Sequence, residues 1–324
     1  MTNPVSDHVD TNKSQTRKPD LAKVKVELRL FLSAFSVWDF LDPRKPWVLV
    51  PRGSPLGVFD FVPPVFREGP WAVLPIVYIA STVYLASFST VYHCAKYGFE
   101  NLPQGHYDAF TAPWYLNLAG FLWTLYVFCD VFVSGFGAAS VATFTVQSYF
   151  LLCLRYGLSA LAPFVESRKL AVVNELLRYP VLNQATITFV VFNAILAPVC
   201  LVCLVDGEKR KNFIKYCTNF RLIQLHCFNI VFAVYSGVWG SPQRSLQWTD
   251  LHAAAILTLQ YGLFYIFILD RLGIHLYLII SPRTNVSLIS WFLITAATLG
   301  LHSFWDDIIK KYGGYWDSSL TVAE

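Results

Sequence analysis

The chain has 324 residues, of which 55% are hydrophobic and only 14% charged, and its net charge is +4. A soluble domain carries roughly 25% charged residues. This composition excludes an ordinary soluble domain, and its long apolar runs point to an all-α, polytopic transmembrane helix bundle.

Residues 1–20, rich in Ser, Thr, Asn, Asp, Lys and Pro, read as a disordered tail. In Leu21–Leu41, Leu28, Phe31, Leu32, Phe35 and Trp38 recur at helical spacing between charges. That pattern fits an amphipathic interfacial helix, or equally one packed on the protein's own cytosolic face. A proline-rich approach completes the juxtamembrane segment 21–70. Ten of the Lys and Arg residues precede the first apolar run, a basic stretch suited to anionic lipid. It has no interleaved aromatic patch of the kind nucleic acid needs, so membrane lipids are the expected partners and nucleic acid is not.

The transmembrane domain is expected at 71–305, with about seven spans near 71–92, 113–134, 139–162, 181–205, 217–239, 251–269 and 285–304. Each has the ~20 residues needed to cross ~30 Å of hydrocarbon. The first is expected to act as signal anchor, because residues 1–20 are polar. Spans two and three form a tight hairpin through 135–140, and 306–324 reads as a short polar tail. With the N-terminus inside, sixteen Lys and Arg fall on the inner side and seven on the outer, the margin coming from the tail. An integral, multipass membrane location follows. The seven cysteines lie mostly within apolar runs and read as small hydrophobes, the Cys200–Cys203 pair included.

Intramembrane polar residues are functional candidates by default. At ~1.5 Å of rise per residue, Thr145 lies ~9 Å and His226 ~14 Å from the inner face, with Asp130 ~6 Å in. These three can share one stratum, whereas His252 starts its helix at the opposite face. Arg155 is placed ~24 Å in, near the outer interface, where its stem can snorkel. An enzymatic reading gives Thr145 as nucleophile, His226 as its base, Asn229 as a donor to a developing oxyanion and Asp130 as the group that orients the imidazole. The plain alternative is that His226 and Asn229 hydrogen-bond between helices and Thr145 bonds its own backbone. His93 and His106, with Glu100 and Asp108, read as solvated loop residues, so no metal and no cofactor are expected. Histidines on separate helices at different depths also argue against haem.

Three stretches carry a resemblance: FTVQSYFLLCLRYGLSAL (144–161), QLHCFNIVF (224–232) and GLFYIFILDRLGIHLYLIISPRT (262–284). Together they resemble the androgen-induced/androgen-dependent membrane hydrolases and the related rolling-stone-type proteins, over residues 140–305. Leu278 stands where that family has a proline, and the TFT at 143–145 leaves the threonine register open by two residues. The resemblance implies an intramembrane hydrolase acting on fatty-acid esters of hydroxy fatty acids. Thr145 and His226 match the catalytic positions, Asn229 matches the rolling-stone side, and Tyr277 follows His226 at about the family's distance. A non-enzymatic membrane protein (a transporter, or a structural or accessory subunit) accounts for the composition as well. Against a transporter, the chain shows no inverted repeat and no pair of Gly/Pro-broken helices.

Overall fold

The computed structural model describes residues 71–97, 108–133, 137–165, 167–203, 207–241, 243–271, 274 and 276–314. The expected tail, amphipathic helix and proline-rich approach at 1–70 lie outside the described residues, as does His106. Eight helices are described: α1 (Val73–Tyr97), α2 (Ala112–Val133), α3 (Phe144–Leu161), α4 (Arg168–Val202), α5 (Gly207–Cys217), α6 (Phe220–Trp239), α7 (Trp248–Leu269) and α8 (Val286–Tyr312). No strand occurs among the described residues. Six of these, α1, α2, α4, α6, α7 and α8, are long and apolar enough to cross a membrane. The protein is an all-α, polytopic membrane bundle.

The lipid-facing surface can be read from burial. On α1, Val73, Tyr84, Leu85, Phe88 and Val91 are exposed, and on α8, Ile289, Phe292, Leu293 and Leu299 are. Contiguous apolar surface of that extent is not tolerated in water and is the normal state in a bilayer.

The inner architecture is set by α4. From Leu177 to Ala185 every residue is buried, so this half of the helix is enclosed on all sides by α3, α6, α7 and α8. Its other half turns outward, with Phe189, Val190, Ile195, Val199 and Val202 exposed. Small residues let neighbouring helices approach closely. A Cβ at Gly120 of α2 would meet the Tyr156 ring of α3 at 2.5 Å, and one at Gly262 of α7 would meet Trp291 of α8 at 2.8 Å.

Several boundaries differ from the sequence reading. The fourth helix begins at Arg168, well before the expected 181, because Ser167 caps it and the charges of its first turn, Arg168 and Lys169, stay exposed. Residues 207–217 form a separate helix, and Asn219 caps the start of α6 by accepting from the Arg221 amide. The last helix runs on to Tyr312, so the expected polar tail is partly helical; Asp306 pairs with Lys310 one turn on at 2.6 Å. The third helix is α3, shorter than expected because residues 137–142 form a 3-10 turn. It is a long helix of the bundle but not among the six most apolar, since Gln147 and Arg155 lie along it.

Candidate functional site

Thr143 ends the 3-10 turn and caps α3, its hydroxyl accepting from the Val146 amide at 3.2 Å and donating to the Ser140 carbonyl at 2.9 Å. The first threonine of TFT is therefore committed to the backbone. Thr145, two residues on and buried, is directed across to α6. Its Oγ1 lies 3.3 Å from Nε2 of His226. Of the two threonines, Thr145 is the one whose hydroxyl reaches α6.

His226 lies in a π-helical segment of α6, Gln224–Phe228. Such segments are rare and are frequent at functional sites. A second π segment, Val191–Leu196 of α4, packs beside it. Phe192 from that segment stacks on the imidazole, with centroids 3.7 Å apart, and Asn193 donates to the His226 carbonyl at 3.0 Å. On the ring's far side Nδ1 is 3.1 Å from the Leu222 carbonyl. A carbonyl oxygen only accepts, so the proton of the neutral ring resides on Nδ1. Nε2 then presents its lone pair to the Thr145 hydroxyl, the arrangement of a base and its nucleophile.

A third group completes this face. Tyr277, in the segment between α7 and α8, is partly buried beside the start of α3. Burial pushes its phenol up to about 12, while its hydrogen bond with the Thr145 hydroxyl and the nearby Phe144 and Thr145 amides work against that rise. The phenol keeps its proton at neutral pH. Its backbone is pinned by Tyr265, whose hydroxyl donates to the Tyr277 carbonyl at 3.1 Å and accepts from its amide at 3.3 Å. The segment is anchored further by Asp270, which receives Arg283 in a two-pronged pair (2.9 and 2.7 Å) and the Trp71 indole at 2.7 Å. Burial raises the Asp270 pKa, and Arg283 opposes it.

Asn229 follows His226 on α6 and is 1% exposed. Neither its Oδ1 nor its Nδ2 has a hydrogen-bond partner among the described residues. A buried amide left unsatisfied needs an explanation. Asp130 is not brought into this group. It forms a partly exposed pair with Arg221 (2.6 and 3.1 Å) that ties α2 to α6. The orienting role expected of it falls to the Leu222 carbonyl. His252 is likewise elsewhere, its ring 6.0 Å from that of His93.

Arg155 requires a correction. It does not snorkel but is 0% exposed. It donates to the Ser236 carbonyl at 2.6 Å, to the Ser236 hydroxyl, to the Ser241 hydroxyl at 2.5 Å and to the Asn174 carbonyl at 3.4 Å. Around it, Arg178 donates to the Gly237 carbonyl at 2.6 Å. Arg244 bridges Glu175 (3.0 Å) and, through two bonds of 2.7 and 2.9 Å, Asp250. Burial disfavours the Arg244 charge, but the bonds and charges of Asp250 and Glu175 outweigh it and raise its pKa. Depth arithmetic missed this cluster because it fixes height along a helix and not the face a side chain occupies. One signal was available: Gln247 and Asp250 form a capping box that places an acid at the start of α7.

Comparison with protein-family models, with curated proteins and with solved structures finds no match to the chain. The class rests on the fold: a multipass, all-α membrane protein with a threonine–histidine contact inside the bundle.

Proposed function

We propose that this protein is an intramembrane ester hydrolase with Thr145 as nucleophile and His226 as general base. The observation that carries the reading is the 3.3 Å contact between Thr145 Oγ1 and the unprotonated Nε2 of His226. Distances of this kind are often looser without substrate than the ~2.6–3.2 Å of the working complex. In the reaction, Nε2 takes the hydroxyl proton as Oγ1 forms a bond to the ester carbonyl carbon. The tetrahedral oxyanion collapses, the C–O bond to the alcohol breaks, and the leaving oxygen takes the proton back from Nε2. Water, deprotonated by the same nitrogen, then releases the acid and restores Thr145. The unsatisfied Asn229 amide is the candidate donor to the oxyanion. A lipid ester, such as a fatty-acid ester of a hydroxy fatty acid, is the substrate class that suits a pair held among membrane-crossing helices.

The test is covalent labelling by an alkyl fluorophosphonate in native membranes. Labelling is expected on Thr145, lost in Thr145→Ala and lowered ~10²–10⁴-fold in rate in His226→Ala, the usual contribution of a general base. His252→Ala should label like the unmodified protein, and all variants should accumulate equally. A properly accumulated protein that reacts at none of these positions would overturn the reading and favour a transport or structural role.

A further inference from the structure

A second feature lies on the other side of α3. A crevice of about 370 Å³ opens between α3 and α7, walled by Phe128, Phe144, Phe150, Leu151 and Leu257. Its rim includes Phe150, 46% exposed among the apolar residues that face lipid, so the crevice opens to the side of the bundle. The volume falls within the ~300–1,000 Å³ usual for small-molecule sites. The polar groups along it are unequal. Gln147 has its amide committed to the Val141 carbonyl at 3.0 Å, and Gln260 is exposed. Gln184, contributed by α4, lies among the lining residues at 2% exposure, and its Oε1 has no hydrogen-bond partner among the described residues.

We propose that this crevice binds a single-chain lipid alcohol, with its hydroxyl on the Gln184 amide and its chain along the aromatic walls. A buried amide oxygen without a partner costs about 1–3 kcal/mol, which a donor bound in the crevice recovers once the Gln184 side chain turns toward it. A hydroxyl both donates and accepts, so it matches either end of the amide. Apolar walls and a lateral mouth select a ligand that already resides in hydrocarbon. A crevice of about 370 Å³ holds part of one chain, whose distal end remains among the lipids. The site uses neither Thr145 nor His226 and stands whether or not they hydrolyse anything.

The experiment uses the full chain in lipid nanodiscs and a C16 alcohol carrying a diazirine, with its methyl ether and a diazirine sterol as controls. The alcohol should label peptides containing residues 144–151 and 257–261. Gln184→Leu, which keeps the volume and removes the amide, should lower that labelling on the order of tenfold, one hydrogen bond's worth. Leu257→Trp, which fills the crevice and leaves Gln184 in place, should lower it as well, and serves alone if the first variant misfolds. Equal labelling by alcohol and ether, labelling spread around the lipid-facing surface, or labelling unchanged in the folded variants would each overturn the proposal. So would a sterol that displaces the alcohol.

Discussion

Two of the meetings between α3 and α6 are built differently. At one, Thr145 faces His226; ten residues further along both helices, Arg155 faces Ser236. The equal offset means that the helices run parallel and in register, with the two contacts ~15 Å apart along the axis. The arginine end is dense: Arg155, Arg178 and Arg244 bond to Ser236, Gly237, Ser241, Glu175 and Asp250. The threonine end holds one long hydrogen bond, two π segments and the Asn229 amide, both of whose polar atoms lack a partner among the described residues. The arginine end has a π segment of its own, Tyr235–Trp239, but there many short hydrogen bonds hold the buried charges, whereas few hold the threonine end. Functional sites commonly violate local rules in this way and are supported from elsewhere in the fold.

Substitutions sharpen that contrast. The largest effect on folding is expected from Arg244→Met, which leaves Glu175 and Asp250 without their buried cation. Breaking such a pair costs about 3–5 kcal/mol, and the variant should fail to accumulate in membranes. Arg155→Leu comes next. It strips donors from buried serine and carbonyl acceptors at about 1–3 kcal/mol each, and a lowered thermal midpoint in detergent should show it. Normal stability in that variant would break the comparison.

Smaller effects are expected at the threonine end. Thr143→Ala removes the cap of α3 at about 1 kcal/mol. It should lower the midpoint slightly and leave fluorophosphonate labelling on Thr145, so loss of labelling with normal folding would place the nucleophile at 143. The smallest effect is expected from Asp130→Asn, because partly exposed ion pairs contribute little. Its midpoint should hardly move and labelling should persist, whereas abolished labelling would restore Asp130 to the site.

The legible and illegible parts separate along the same line. Apolar run length revealed the spans, and a common starting face for the third and fifth of them brought Thr145 and His226 to similar depth. Their meeting follows from helical rise, which the sequence encodes directly. What was not legible depends on rotation about the axis and on backbone irregularity. Arg155, expected to snorkel, is fully buried, and Arg178 and Arg244 are buried beside it. The π segments around Phe192 and His226 have no sequence signature, and neither does the choice of the Leu222 carbonyl over Asp130.

The parallel register of α3 and α6 has a mechanical consequence. With the arginine end clamped, the pair can act as a lever whose fulcrum is Arg155. A tilt of about 4° there displaces Thr145 by about 1 Å over the ~15 Å arm. That is enough to close the 3.3 Å gap to a working hydrogen bond or to part it. Bilayer thickness, which sets helix tilt, would then act directly on the spacing of the two groups.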